Sequence, residues 1–266
     1  MSKPTISAIV ITYNEAHNIQ RCLDSLKFCN EIIVFDSGSK DDTVAICRRY
    51  TDKIWEADWP GDGPQKNRAF EKATSDWLLC VDADEVVTSK LADEIQQAIS
   101  NTSHVAFDIP FLSHYLGKAI HWGDWRKESH IRLLQRGAGH FTPAYVYGAD
   151  GAHCRLELSG TVGCLKGKMF HYPFPTVERL LEKVNAYSSG SAAIKHYQGK
   201  TGGVLTAMAH GLWAFFRGYV FRLGFLDGGA GFMLAVSNAE GTYYRYIKLG
   251  LMNKSSPRSK EASRVS

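Results

Sequence analysis

An apolar run of strand length ends in three carboxylates between Trp77 and Glu85. A continuous apolar run is typical of a strand buried on both faces, and the sudden charge places its end at the edge of a sheet. In open α/β sheets the carboxyl ends of the strands face the ligand crevice. Asp82 and Asp84 are two residues apart, so an extended segment directs both side chains to one face. A solvated turn before a helix is the alternative interpretation of this Asp-x-Asp tripeptide.

The first hundred residues alternate apolar runs with segments of helical periodicity four times. This alternation predicts a mostly parallel sheet with right-handed crossovers, and we expect Asn14 to be the N-cap of the first helix. After Asn101 the rhythm changes, and further strands are expected to form an antiparallel extension of the sheet. These strands are Val105 to Leu112, Ile131 to Leu134 and Arg155 to Leu158.

Composition limits the classes of function. The net charge of +4 over 266 residues gives no indication of nucleic-acid binding. Six cysteines without C-x-x-C spacing are typical of reduced core residues in a cytoplasmic protein. The apolar run from Ile6 to Ile11 is too short for the core of a signal peptide. The uncharged stretch from Thr201 to Phe216 is shorter than the roughly 20 residues that span a bilayer, so it predicts at most contact with a membrane surface.

Three polar loops follow predicted strands, in an order and spacing more specific than any one of them. They are Thr12-Tyr13-Asn14-Glu15, Asp36-Ser37-Gly38-Ser39 and Asp82-Ala83-Asp84. This succession resembles the T-x-N-E, D-S-G-S and D-x-D motifs of the family 2 glycosyltransferases, which have the GT-A fold. The resemblance implies an α/β class, with a Rossmann-like, mostly parallel sheet, an antiparallel acceptor-side extension and C-terminal helices.

Four later segments are similar to the WaaE or KdtX type of lipopolysaccharide-core β-glucosyltransferases. They are Asp58 to Asn67, Gly167 to Tyr172, Glu182 to Ser188 and Gly224 to Phe232. This similarity implies inverting transfer of a hexose, with glucose from UDP-glucose as the expected donor, to the inner core of a lipid A-linked oligosaccharide. It also implies a peripheral location on the cytoplasmic face of the inner membrane.

Glycosyl transfer from a nucleoside diphosphate sugar leaves a charged diphosphate, which a cation held by hard oxygen ligands stabilises. We therefore expect Mg²⁺ or Mn²⁺ at Asp84. The family resemblance implies that Asp82, the first acid of the motif, is shared between the metal and the ribose. By resemblance Asp36 binds the base, although Asp is also common in turns. Lys66 and Arg68 are candidates for the diphosphate, with a solvated helix face as the alternative. The expected donor site comprises Thr12, Tyr13, Asn14, Glu15, Asp36, Gly38, Gln65, Lys66, Arg68, Asp82, Ala83 and Asp84.

Inversion also requires a general base near the acceptor hydroxyl. The subfamily has a His-Glu pair after its acceptor-side loops, whereas this chain has His153-Cys154, which leaves the base open. Asp150 or His153 is preferred, and the alternatives are Glu128, Glu157 and Asp124. Aromatic and cationic residues could form a wall that binds an anionic sugar acceptor, although core packing is the better interpretation for each tryptophan by itself. Its members are Trp122, Trp125, Arg126, Arg132 and His171.

The C-terminal part predicts a different kind of contact. Aromatic and apolar residues from Leu212 to Phe221, together with Arg217 and Arg222, favour an amphipathic helix at a membrane interface. Packing on the catalytic domain or in a dimer is the alternative. The expected organisation is a nucleotide-sugar-binding half at 1–103, an acceptor-side part at 104–175, a helical region at 176–252 and a disordered basic tail at 253–266.

Three other functions are consistent with parts of the sequence. Another glycolipid or a capsule polysaccharide could be the acceptor, and acceptor profiling distinguishes these. A catalytically inactive nucleotide-sugar-binding protein would explain the missing Glu after His153. A dinucleotide-dependent dehydrogenase is disfavoured because no G-x-G-x-x-G follows the first strand.

Overall fold

The computed structural model describes residues 3–142 and 155–255. The described chain forms two compact units. The sheet unit comprises residues 3–119, 127–142 and 155–173, and the helical unit comprises residues 120–126 and 174–255. Asp150 and His153, the preferred candidates for the base, lie outside the described residues.

The sheet unit begins with the predicted alternation of strand and helix. Its strands are β1 (Ile6–Thr12), β2 (Glu31–Asp36), β3 (Ile54–Glu56) and β4 (Trp77–Asp82). Its helices are α1 (Ile19–Ser25), α2 (Thr43–Cys47), α3 (Asp62–Phe70) and α4 (Ser89–Ala98). β1 pairs in parallel with β2 and β4, and β2 pairs in parallel with β3, so the order is β3-β2-β1-β4. The predicted parallel half is confirmed.

Eight shorter or later strands complete the sheet unit. They are β5 (Glu85–Val87), β6 (Ala106–Tyr115), β7 (Lys118–Ala119), β8 (Ser129–Gln135), β9 (Gly139–Thr142), β10 (Arg155–Leu158), β11 (Val162–Cys164) and β12 (Met169–Phe174). The main sheet continues from β4 through β8, β6 and β12 to β5. β8 is antiparallel to β4 and β6, which confirms the predicted extension for these strands. β10 departs from it, because it pairs only with β9 in a separate two-stranded sheet.

Burial explains why these runs form strands. Every residue of β1 is buried, and β4 is buried except at Asp82. Alternate residues of β1 enter two apolar clusters, one containing Val10 and the other Ile9, as expected for a sheet covered on both faces. The charged ends of the strands therefore emerge from a fully apolar layer. Cys22, Cys47 and Cys80 are buried free thiols as predicted, whereas Cys164 is exposed.

Three long helices dominate the helical unit. They are α5 (Val177–Tyr197), α6 (Val204–Phe216) and α7 (Gly228–Ser255). A 3₁₀ turn covers Gly123–Trp125, and between α6 and α7 the chain forms a π-helical turn at Arg217–Phe221 and a 3₁₀ turn at Gly224–Asp227. α7 continues through Ser255, so the first residues of the predicted tail are helical, and 256–266 lie outside the described residues.

Among the described residues, no single helix is both long enough and apolar enough to span a membrane. The segments Val204–Phe221 and Gly224–Ser255 satisfy the requirements of length and composition only when they are taken together, and they meet at a bend of 72°.

Candidate active site

Parallel pairing brings the three polar loops to one edge of the sheet. In the register of β1 and β2, Thr12 lies opposite Asp36, and in the register of β1 and β4, Ile11 lies opposite Asp82. The strands thus end within one residue of each other. The predicted convergence of the loops at their carboxyl ends is confirmed by this register.

The first two loops are fastened together by hydrogen bonds. The Asn14 backbone N–H donates to Ser39 Oγ at 2.8 Å, and Asn14 Oδ1 accepts from the Lys40 backbone N–H at 2.8 Å. Asn14 has a positive φ of 52°, which Asn tolerates better than most residues. The prediction that Asn14 caps α1 is wrong, because α1 begins only at Ile19, with Asn18 preceding it. Asn14 instead joins the loop after β1 to the loop after β2.

Asp36 holds the second loop in shape. Its side chain is fully buried, and Asp36 Oδ2 accepts from the backbone N–H groups of Gly38 and Ser39 at 2.9 and 2.8 Å. The Ser39 hydroxyl donates to the other carboxylate oxygen. Gly38 has a φ of 87°, a conformation that favours glycine. This is the turn-forming role of Asp, and a direct contact between Asp36 and a base stays a prediction.

Several other residues of the expected donor site lie around these loops. Tyr13 is exposed, whereas the Thr12 hydroxyl is buried without a hydrogen-bond partner. Gln65 is buried and donates to Ser37 Oγ at 3.3 Å. Arg68 is partly exposed and pairs with the Asp58 carboxylate at 2.8 Å, so its charge is balanced locally. The Glu15 backbone N–H donates to Thr43 Oγ1 at 2.8 Å, and its carboxylate accepts from Asn18.

Asp82 lies between two buried cations. Its Oδ1 is 3.1 Å from Lys66 Nζ, an ion pair without an aligned hydrogen bond, and its Oδ2 accepts from Arg132 Nη2 at 2.7 Å. Lys66 also donates to Asp62 at 3.0 Å. Burial alone would raise the pKa of Asp82, but the charges of Arg132 and Lys66 outweigh it and hold that pKa far below its usual range. Asp82 is therefore a permanent anion here.

Glu85 is the acid that the sequence prediction left without a role. It is almost fully buried, accepts from the Asp82 backbone N–H at 2.9 Å and from Arg132, and packs at the start of β5. Burial raises its pKa to about 8, with the charge of Asp82 adding to the rise and that of Arg132 opposing it. The buried Nε–H of Arg132 has no hydrogen-bond partner among the described residues. In the sequence, Glu85 could have been found from its position directly after Asp84. Strand β5 begins at Glu85, and the Glu85 side chain is buried.

Asp84 lies beside His171 of β12. Asp84 Oδ2 is 3.6 Å from His171 Nε2, and the Asp84 carbonyl accepts from the Tyr172 N–H at 2.8 Å. Burial lowers the pKa of His171, but Asp84, Glu85 and Glu128 together raise it above its usual value. β12 and β5 are antiparallel, with His171 opposite Glu85, and this pairing fixes the contact. The contact between Asp84 and His171 could not be predicted from the sequence, because the two residues are far apart along the chain.

These residues satisfy the size requirement of a divalent cation. Metal–ligand bonds of about 2.1 Å allow two ligand atoms to lie up to roughly 4.2 Å apart on one ion, and Asp84 and His171 meet this condition. No preformed cluster of three or more His, Cys, Asp or Glu ligands occurs in the described part of the chain. A metal with one or two protein ligands that takes its remaining oxygens from a diphosphate is the common pattern for Mg²⁺.

The described candidates for the general base lie in different parts of the structure. Glu128 accepts from Ser113 Oγ at 2.8 Å, and Ser113 Oγ is 3.3 Å from His171 Nδ1, so a chain of polar contacts connects Glu128 to Asp84. Glu157 is half-exposed on β10, 3.9 Å from His140. Asp124 belongs to the helical unit and binds two arginines there. Glu128 alone among the described candidates lies beside the acidic strand end.

The predicted acceptor wall is divided between the two units. Arg132 and His171 belong to the sheet unit and contact the acidic strand end. The helical unit contains the other three members, Trp122, Trp125 and Arg126. There the Trp122 backbone N–H donates to Asp227 at 2.7 Å, and the Arg126 guanidinium lies over the Trp122 ring. The sequence prediction placed these five residues in one wall because of their residue types alone.

Comparison with known proteins identifies the family of the chain. Residues 7–148 match the family described as "Glycosyl transferase family 2". An uncharacterized glycosyltransferase of Rickettsia felis is 30% identical and covers 92% of this chain and 89% of its own. The lipopolysaccharide core biosynthesis glycosyltransferase LpsC of Rhizobium meliloti is 26% identical over 92% of this chain and 94% of its own. A solved mannosyltransferase of Pyrobaculum calidifontis, in complex with GDP-Man and Mn²⁺, has 17% identity and a TM-score of 0.49, covering 91% of this chain and 74% of its own. The chain belongs to glycosyl transferase family 2.

Proposed function

We propose that this chain is an inverting, metal-dependent hexosyltransferase that moves glucose from UDP-glucose to the inner core of lipopolysaccharide. The observation that carries the transfer chemistry is the meeting of Asp84 and His171 beside the buried Lys66–Asp82–Arg132 network. The lipopolysaccharide acceptor is supported by the similarity to LpsC over nearly the full length of both chains.

The cationic pair supplies the charge that a diphosphate needs. Lys66 and Arg132 hold two positive charges at one strand end, where Lys66 pairs with Asp62 and Asp82 and Arg132 pairs with Asp82 and Glu85. The unpaired Nε–H of Arg132 is a donor suited to a phosphate oxygen. In the proposed complex these side chains bind and orient the diphosphate, so that charge developing on the leaving group meets cations already in place.

Asp84 and His171 are the proposed protein ligands of Mg²⁺ or Mn²⁺. When bound, the cation supplies further stabilisation of the leaving diphosphate. Asp82 keeps the cations oriented and, by the family resemblance, contributes to the ribose and metal. The other members of the expected donor site, among them Thr12, Asn14 and Gln65, are proposed to line the nucleotide pocket.

Glu128 is the proposed general base among the described residues. Burial raises the pKa of its carboxyl, but hydrogen bonds from His130 and Ser113 and the charge of His171 outweigh it, so the pKa falls below the usual value. The group is therefore ionised at neutral pH and able to accept the proton of an acceptor hydroxyl. Asp150 and His153 remain proposals for the same role.

A donor-and-acceptor assay tests this function. The full chain with UDP-glucose and Mg²⁺ or Mn²⁺ is expected to release UDP when truncated core lipopolysaccharide is added, and chelation of the metal is expected to stop the reaction. UDP binding in calorimetry without turnover of any nucleotide sugar would instead identify an inactive binding protein. Turnover only with another glycolipid or a capsule acceptor would reject the lipopolysaccharide assignment. Transfer to a lipid-linked core would take place at the cytoplasmic face of the inner membrane, where we propose that the chain is peripheral.

A further inference from the structure

On α6 the large apolar side chains are exposed and the small ones are buried, which is the reverse of a helix that packs on the core of a water-soluble protein. The large side chains Leu205, Met208, Leu212, Trp213 and Phe216 are all exposed, and Leu205 reaches 83%. Their spacing of three, four, one and three residues places them on one face of the helix. We call these five side chains, with Phe221 of the following turn, the outer face.

The opposite face of α6 carries only small residues. Ala207, Gly211 and Ala214 are buried, and Gly218 continues this face into the next turn. A Cβ on Gly211 would lie 3.3 Å from the Ala239 carbonyl oxygen of α7, so the two backbones approach closely. Close packing through small residues, with large apolar residues turned outward, is typical of helices whose surroundings are apolar.

The start of α7 has a similar arrangement. Its buried residues are mostly small, namely Ala230, Gly231 and Ala235 together with Leu234, whereas Phe232 and Met233 are exposed. A Cβ on Gly231 would lie only 1.9 Å from the Gly224 carbonyl oxygen, so the bend between the helices depends on glycine there. The same inverted pattern on both sides of the bend indicates one continuous apolar surface on this part of the unit.

The charges near the bend are satisfied inside the protein. Arg217 and Arg222 donate to the two oxygens of Asp124 at 2.9 and 2.7 Å. Asp227 accepts from the backbone N–H groups of His121 and Trp122. The sequence places both arginines on an amphipathic helix at a membrane interface, and in the structure both pair with Asp124. No Asp, Glu, Lys or Arg lies between Thr201 and Phe216, so α6 presents no charge of its own.

The remaining charge of the helical unit favours an anionic partner. Its described residues contain ten Lys and Arg against five Asp and Glu. An uncharged aromatic and aliphatic face within a net cationic unit matches a bilayer that carries anionic lipid, because the acyl chains take the apolar side chains and the headgroups attract the cations. A second copy of this chain would bring equal positive charge to the contact.

We propose that the outer face inserts into one leaflet of an anionic lipid bilayer, with the bend of the helix pair at the lipid and Asp124 holding the bend from the protein side. Insertion into one leaflet needs no complete crossing, and no single described helix is both long and apolar enough for one. This inference stands apart from the proposed reaction, because it rests on residues of the helical unit alone.

Flotation of the full chain with lipid vesicles tests the proposal. We expect binding to vesicles with about one-third anionic lipid, and at least tenfold weaker binding for the double variant Leu205→Glu, Leu212→Glu. Val162→Glu is the matched control, because Val162 is an exposed apolar residue of the sheet unit. Unchanged vesicle binding of the double variant would overturn the proposal. So would a wild-type dimer that fails to bind vesicles and that the double variant converts to a monomer.

Fluorescence gives a second, independent readout. Vesicles with brominated acyl chains are expected to quench Trp213, and the quenched fraction is expected to fall in Trp213→Phe. Equal quenching in both proteins would place Trp213 outside the bilayer and contradict the proposal. UDP release with a detergent-dispersed acceptor distinguishes membrane insertion from the proposed reaction. The double variant is expected to release UDP in this assay. If the proposed reaction is wrong, the wild-type protein will not release UDP either.

Discussion

The sheet unit buries large apolar side chains together with charged ones, whereas α6 of the helical unit buries small side chains and leaves large apolar ones exposed. Leu78, Leu79, Lys66 and Arg132 are buried in the first, and Gly211 and Ala214 in the second, beside exposed Leu212 and Trp213. The sheet unit thus depends on a hydrophobic core and on balanced charge. The helical unit depends on the close approach of backbones. Substitutions that remove charge and substitutions that add volume should therefore affect the two units differently.

The largest effect is expected at the end of β4. Asp84→Ala should lower kcat/KM for UDP release at least about 1000-fold, which corresponds to roughly 4 kcal/mol, because it removes the proposed metal ligand. The thermal unfolding midpoint should change little. Asp93→Ala on the exposed side of α4 is the control, with activity near that of the wild type. A fully active Asp84→Ala protein would refute the metal role.

Glu128→Gln tests the proposed base. It should lower kcat about 100- to 1000-fold while the KM for the donor stays within a factor of about three, since proton abstraction is lost and donor contacts are kept. Glu157→Gln removes a carboxylate that is 53% exposed and should remain within about twofold of the wild type. Wild-type kcat in Glu128→Gln would shift the search to Asp150 and His153.

Charge removal inside the sheet unit should cost stability. Arg132→Met leaves the partly exposed Asp82 and the buried Glu85 without their shared cation and should lower the free energy of unfolding by about 3 kcal/mol, as measured by urea denaturation. Arg179→Met, which breaks an exposed ion pair with Glu182, should cost less than about 1 kcal/mol. Equal losses for the two arginines would remove the distinction between buried and surface charge.

Added volume should act in the helical unit. Gly231→Ala introduces a methyl group against the Gly224 carbonyl and should cost about 2 kcal/mol in unfolding free energy. Gly229→Ala, two residues earlier on the same helix, meets nothing within 4 Å and should be neutral or stabilise by about 0.5 kcal/mol. If both variants unfold at the same urea concentration, the bend does not depend on close backbone contact.

The smallest effect concerns acid stability of the sheet unit. Burial alone would raise the pKa of Glu31, but hydrogen bonds from Lys53, Ser7 and Thr74 outweigh the effect of burial. They lower the pKa of Glu31 from the usual 4.5 to about 2. A lowered folded-state pKa gives stability above pH 4.5 that is lost as the pH falls towards 2. Glu31→Gln should cost about 1.5 kcal/mol at pH 7 and progressively less below pH 4.5, discounted for the exposed end of Lys53.

The control for this prediction is Glu56→Gln, because Glu56 is 58% exposed. Its urea midpoint should follow that of the wild type at every pH. A cost for Glu31→Gln that stays constant between pH 7 and pH 3 would show that packing, and not ionisation, accounts for the loss.

The parallel half of the fold was predictable because its signals are local. Apolar runs of strand length and helical periodicity each depend on residues within one segment, and alternation restricts the topology to a parallel sheet. The loop after β1 was harder. Asn14 follows an apolar run, as an N-cap does, but its hydrogen bonds go to Ser39 and Lys40, and no local pattern reports a partner 25 residues away.

By itself the sequence determined the family, the strand-end position of Asp82 and Asp84 and the apolar character of the C-terminal helices, because each of these depends on residue types at short spacing. Only the tertiary structure decided which groups meet there. His171 reaches Asp84 through the pairing of β12 with β5, and Arg132 reaches Asp82 from β8, the antiparallel neighbour of β4. In the helical unit, Asp124 pairs with Arg217 and Arg222, which lie about 90 to 100 residues away in the sequence. Contacts between distant segments follow from strand register and helix packing, and these are set by the burial of the whole chain.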